Sequence, residues 1–112
     1  YTASKAALSS FTKNLSKSLG PEGILVNCVC PGTIVTASFT DILKEVLAAD
    51  GFDSADPHDV MAWVERTYGH PCDLGRAGLP EEIASATVYL ASRRNGYVTG
   101  ATVNVDGGSD FI

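Results

Sequence analysis

The spacing of apolar residues divides the chain into alternating helices and strands. Leu8, Phe11, Leu15 and Leu19 recur three or four residues apart, which predicts a helix over 1–19 with one apolar stripe. Ala3, Ala7, Ser10 and Asn14 form a second stripe of small residues that would let another helix approach closely. Gly20-Pro21 is expected to stop this helix. Residues 24–30, Ile-Leu-Val-Asn-Cys-Val-Cys, hold one polar side chain, Asn27. Such a run predicts a strand buried on both faces, as in a parallel sheet. Pro31-Gly32 ends it.

The stretch 37–74 is the least regular. Phe39, Ile42, Leu43, Val46 and Leu47 have helical spacing up to a break at Asp50-Gly51. Asp56-Pro57 reads as a second helix start, with Asp56 as N-cap and Pro57 in the first turn. Val60, Met61, Val64 and Tyr68 would face inward, and Gly69-His70-Pro71 would close the element. Pro80-Glu81-Glu82 opens another helix, its two acids at the positive end of the dipole. Ile83, Thr87, Leu90 and Ala91 would be its inner face, and Asn95-Gly96 its end. Residues 101–105 alternate weakly and predict a last strand, followed by a turn at Asp106-Gly107-Gly108. Two strands do not make a stable isolated sheet. The pattern therefore reads as one end of a larger α/β sheet.

Composition narrows the function classes. The length of 112 residues suits one domain. No run reaches the roughly 18 apolar residues of a membrane span, and no signal-peptide pattern is present, so a cytoplasmic protein is expected. The net charge is −5, and Arg93-Arg94 is the only adjacent basic pair, which argues against a nucleic-acid partner. Cys28, Cys30 and Cys72 are odd in number and form no CxxC, so neither a disulfide framework nor a zinc site is expected. They read as small buried hydrophobes in a reducing compartment. His58 and His70 read as surface residues, and no ligand spacing near them suggests a metal.

Tyr1 and Lys5 are the candidate chemistry. Four apart on a helix, they share a face with Cβ atoms about 5–6 Å apart. A phenol ordinarily ionises near pH ~10. A neighbouring ammonium favours the phenolate and makes the group a usable acid or base. Taken alone, such a pair is as well explained by a surface tyrosine and a solvated lysine.

Its context is more specific. The run Tyr1-Thr2-Ala3-Ser4-Lys5-Ala6-Ala7-Leu8 resembles the short-chain dehydrogenase/reductase family. So do Gly20-Pro21-Glu22-Gly23-Ile24, Val26-Asn27 and Pro31-Gly32-Thr33-Ile34-Val35-Thr36. Gly75-Arg76 with Pro80-Glu81-Glu82-Ile83-Ala84, Tyr97-Val98-Thr99-Gly100 and Val105-Asp106-Gly107-Gly108 complete the likeness in the family's order. Only 37–74 lacks a clear counterpart.

The resemblance implies an α/β fold, the C-terminal portion of a doubly wound, Rossmann-like parallel sheet with helices on both faces. Residues 1–112 would belong to a single dinucleotide-binding catalytic domain, with 37–74 as the substrate-covering segment. It implies hydride transfer between NAD or NADP and a small-molecule carbonyl or secondary alcohol, a 3-oxoacyl reductase-like activity leading. Tyr1 would exchange the proton with the substrate oxygen and count among the cofactor-binding residues. Lys5 would ease ionisation of Tyr1 and hold the nicotinamide ribose. The backbone at Ile34 would meet the nicotinamide carboxamide and the Thr36 hydroxyl would help hold the cofactor, with Pro31 and Gly32 shaping the turn; read without the family, this is an ordinary strand-ending turn. Phe39, Met61, Trp63 and Tyr68 would line an apolar pocket or pack two short helices together. The family's Gly-rich turn, serine and asparagine precede the tyrosine, so the 112 residues alone are expected to be inactive. The resemblance also implies a homodimer or homotetramer built through helix 1–19 and the last strand. The alternative from a different class is a non-catalytic assembly piece of such an enzyme.

Overall fold

The computed structural model describes residues 1–109. In chain order it contains α1 (Thr2–Leu19), a 3₁₀ turn (Gly20–Glu22), β1 (Cys28–Pro31), α2 (Ala37–Ala49), α3 (Pro57–Tyr68), α4 (Pro80–Ala91) and β2 (Thr102–Val105). β1 pairs with β2 in a two-stranded sheet. Cys28 N–H donates to Ala101 O at 2.9 Å and Gly32 N–H to Val105 O at 3.1 Å. Both partners advance in the same direction, so the strands are parallel.

β1 starts later than the apolar run predicts, and the reason is Asn27. Its Nδ2 donates to Val98 O at 2.8 Å and its Oδ1 accepts from Ala101 N–H at 3.1 Å. The side chain thus does locally what a ladder would do. Just before it, Val26 N–H donates to Thr99 Oγ1 at 3.0 Å. Cys28, Val29 and Cys30 are half-buried, not buried on both faces as expected.

Two compact units are distinct. The first comprises Tyr1–Cys30 and Ser85–Asn104. Its buried residues, Thr12, Ser16 and Asn95, are all polar. α1 therefore buries a face other than the expected one: Leu8 and Phe11 are 49% and 58% exposed. The buried hydroxyls are satisfied within the helix, Thr12 by Leu8 O at 2.9 Å and Ser16 by Lys13 O at 2.8 Å. At Ser16 a short side chain suits the close approach of Gly100. A Cβ there would collide with Ser16 Oγ, and Gly100 holds φ +65°, a glycine conformation. Asn95 ties its loop together, donating to Leu90 O and Val98 O and accepting from Val98 N–H. α1 stops at Gly20 as expected; Gly20 itself stays right-handed at φ −56° and opens the 3₁₀ turn, and Gly23 makes the left-handed reversal at φ 76°. α4 has no buried residue, so the inner face expected from Ile83, Thr87, Leu90 and Ala91 is not a buried one.

The second unit comprises Pro31–Ala84 with the described residues from Val105 on. It holds the apolar core: Leu47, Val60, Met61, Trp63, Val64, Cys72 and Ala77, with Val35, Phe39, Leu43 and Phe52 packed against it. α3 begins as its sequence predicts, Asp56 Oδ1 accepting from His58 N–H at 2.7 Å and from Asp59 N–H at 3.3 Å. It ends at Gly69, left-handed at φ 70°. Trp63 is buried, donates Nε1–H to Asp50 Oδ2 at 3.0 Å, and meets Tyr68 edge to face at 5.8 Å. Met61 and Trp63 belong to this core and Phe39 packs on it, whereas Tyr68 is 61% exposed. Phe39, Met61 and Trp63 thus pack α2 and α3 on one core, while Tyr68, expected to face inward with Val60, Met61 and Val64, stays at the surface. Among the described residues no helix is long and apolar enough to cross a membrane.

Candidate active site

α1 places Tyr1 and Lys5. The carbonyl of Tyr1 opens the helix, accepting from Lys5 N–H at 3.1 Å and from the Ser4 hydroxyl at 2.6 Å. One turn apart, the side chains converge as the spacing predicts, with Lys5 Nζ 5.3 Å from the Tyr1 ring centre. The phenol is 95% exposed, so the pair presents a hydroxyl and an ammonium to solvent from one face.

The turn after β1 places Pro31, Gly32, Ile34 and Thr36 in the second unit. Gly32 is required here by the protein itself. A Cβ at this position would lie 2.8 Å from Asp106 Cα and 2.9 Å from Asp106 O, both backbone atoms. Ile34 forms a parallel bridge with Gly78, made by Gly78 N–H to Thr33 O at 2.8 Å and Val35 N–H to Gly78 O at 3.0 Å. In a parallel bridge the flanking residues make the bonds, so Ile34's own N–H and C=O point to the opposite edge. They form no hydrogen bond among the described residues. A donor and an acceptor side by side are the complement of a primary carboxamide. Thr36 caps α2, its Oγ1 accepting from Phe39 N–H at 3.1 Å. That uses a lone pair and leaves the hydroxyl proton to donate elsewhere.

Behind this turn lies an ion pair that is not among the candidate residues of the sequence. Arg76 grips Glu82 with both arms, Nη1 to Oε2 at 2.8 Å and Nη2 to Oε1 at 2.6 Å. Glu82 Oε2 also accepts from Leu79 N–H at 2.8 Å, and Arg76 Nη1 donates to Ala77 O at 3.1 Å. The guanidinium, and then the Leu79 amide, hold the Glu82 carboxyl down to about 2. Glu82 likewise raises Arg76. A cavity of about 100 Å³ beside the pair is lined by Thr33, Ile34, Gly78 and Asp106 among others. The signal in the sequence was a glutamate three residues after the residue that precedes the helix, the back-reaching half of a capping box. An open cleft of about 640 Å³ lies elsewhere in this unit, beside Thr40, Lys44, Asp53 and Asp59, and includes none of the expected site residues. Among the described residues no cluster of three or more His, Cys, Asp or Glu is placed to hold a metal ion.

Residues 1–110 match the model of a family described as enoyl-(acyl carrier protein) reductase. The chain belongs to the short-chain dehydrogenase/reductase family. It is 35% identical over 108 residues to the short-chain reductase protein NovJ of Streptomyces niveus, covering 96% of this chain and 37% of that protein. It is 40% identical over 111 residues to a 3-oxoacyl-(acyl-carrier-protein) reductase of Chlamydia trachomatis serovar D, covering 96% and 36%. Among solved structures it resembles the L-sorbose reductase of Gluconobacter frateurii complexed with NADPH and L-sorbose. The TM-score is 0.80 at 32% identity, covering all of this chain and 40% of that one. The chain thus spans somewhat over a third of the length of the curated relatives it matches. Its fold is the α/β, Rossmann-like fold of these short-chain dehydrogenases/reductases, as the resemblance implied.

Proposed function

We propose that the protein is an NAD- or NADP-dependent oxidoreductase that interconverts a carbonyl compound and a secondary alcohol, with Tyr1 as proton donor and acceptor. The observation that carries this reading is the Tyr1–Lys5 pair, a phenol and an ammonium on one helical face within a chain of this family. When bound, the nicotinamide supplies or takes the hydride. Tyr1 would give its phenolic proton to the substrate oxygen during reduction and take it back during oxidation. Lys5 would stabilise the phenolate so formed and hold the nicotinamide ribose. The N–H and C=O of Ile34 would grip the nicotinamide carboxamide, and the Thr36 hydroxyl would donate to the cofactor. Pro31 and Gly32 would set the approach of this turn.

On the same reading, residues 1–112 are part of one dinucleotide-binding catalytic domain in a cytoplasmic enzyme. Residues 37–74, with α2 and α3, cover the substrate. Ketones of the 3-oxoacyl type head the substrate panel, in keeping with the 40% identical relative. The exposed Leu8 and Phe11 on α1 favour a homodimer or homotetramer, and they equally support a second reading, in which these residues serve assembly without catalysis. Cofactor oxidation by the complete gene product with a panel of ketones separates the two. Turnover that collapses in Tyr1→Phe supports the enzyme; absence of turnover with every ketone, despite a folded protein, leaves the assembly reading.

A further inference from the structure

The Arg76–Glu82 pair does more than close a loop. Its hydrogen bonds land on both neighbours of Gly78: Arg76 on Ala77 O at 3.1 Å, and Glu82 on Leu79 N–H at 2.8 Å. Gly78 is in turn the residue that bridges Ile34 through Thr33 O and Val35 N–H. Ala77 N–H is tied from another side to Pro57 O at 2.8 Å, and Ala77 itself is buried in the core. The segment 76–79 is therefore strapped at three points, and Thr33–Val35 lies along it. The Ile34 side chain lies over Gly78, its Cδ1 2.8 Å from where a Cβ would stand.

We propose that Arg76 and Glu82 are positioning residues for the cofactor. By holding Gly78 in register they fix the direction of the Ile34 N–H and C=O, and so determine affinity for the nicotinamide end of the dinucleotide. This rests on the reading of Ile34 given under Proposed function. The pair does not touch the cofactor. Its effect runs through two backbone bonds, and it is confined to ligands that carry a nicotinamide.

The test compares two ligands on the complete gene product. One is the reduced dinucleotide, followed by its fluorescence on binding. The other is ADP-ribose, or its 2′-phosphate if the enzyme prefers NADP, which lacks the nicotinamide. Arg76→Gln should weaken binding of the reduced dinucleotide about 5- to 30-fold, the worth of one to two hydrogen bonds. ADP-ribose affinity should stay within twofold of the parent. Arg76→Lys, which keeps the charge but loses the fork, should fall between. Glu82→Gln keeps Arg76 but breaks the charged fork and weakens the hold on Leu79 N–H; it should reproduce the selective loss in a milder form, and it serves if Arg76→Gln does not fold. Equal weakening of both ligands, or no change in either, by the variants that fold would overturn the inference. If the parent protein binds neither ligand, the assignment of Ile34 itself fails, and the inference falls with it.

Discussion

Replacing Gly32 with alanine tests a close backbone approach in the second unit. The new methyl would sit 2.8 Å from Asp106 Cα, 2.9 Å from Asp106 Cβ and 2.9 Å from Asp106 O. Two of these three atoms are backbone, so no rotamer change can relieve the contact. The segments at 32 and 106 must separate, and the 3.1 Å bond from Gly32 N–H to Val105 O is the first to stretch. Overpacking of this kind costs about 1–3 kcal/mol. Loss of the hydrogen bond adds about 1 kcal/mol, for a total of about 2–4 kcal/mol. Gly20→Ala is the internal control. Gly20 has helical dihedrals, φ −56° and ψ −41°, and open space where a Cβ would go. There the substitution should stabilise by about 0.4–1 kcal/mol, because alanine has less freedom to lose from the unfolded chain. Thermal unfolding of the complete gene product, followed by circular dichroism, should show Gly32→Ala lower in Tm by roughly 5–15 °C, and Gly20→Ala unchanged or slightly higher. If the two variants melt together within a degree, the placement of Asp106 against Gly32 is wrong.

Four further outcomes are expected. Tyr1→Phe in the complete gene product should lower kcat about 10²- to 10⁴-fold, read by steady-state cofactor oxidation. Lys5→Met should lower kcat and also raise the KM for the cofactor, since it is assigned to both the phenol and the ribose. Trp63→Phe should cost about 1–2 kcal/mol in urea unfolding through the lost bond to Asp50, and Trp63→Ala about 3–5 kcal/mol through the cavity it leaves. Glu82 has its folded-state carboxyl held down to about 2, below its ordinary value of 4.5. Its contribution is therefore fully present above the ordinary value and is lost as pH falls toward about 2. Unfolding measured across that range should be steeper with pH in the parent than in Glu82→Gln, and the difference should shrink in high salt because the pair is partly exposed.

Most element boundaries were legible because they rest on local chemistry. The cap at Asp56 needs only its own side chain and the next two amides, and Gly69 needs only the absence of a Cβ. Pro80 likewise opens α4 where it was expected. The Tyr1–Lys5 pair was legible for the same reason, since helical spacing alone brings the two side chains together. Failures came where a side chain met a distant backbone. Asn27 delays β1 through bonds to residues 98 and 101, more than seventy positions away. Nothing near Asn27 in the sequence announces those partners.

The sequence by itself determined the alternation of helices and strands, the caps, the pairing of a phenol with an ammonium and, through seven ordered motifs, the family. These depend on neighbours within one helical turn or on short contiguous blocks. Only the tertiary structure decided which faces are buried. It placed Thr12 and Ser16 inside instead of Leu8 and Phe11, with Gly100 packed directly against Ser16. It sent Met61 and Trp63 into a core with Leu47. It set Gly78 against Ile34, with the Arg76–Glu82 fork behind it, and so turned a strand-ending turn into a displayed donor and acceptor. Periodicity reports that a residue lies on a face; what that face meets is set by close packing and by hydrogen bonds between segments remote in sequence.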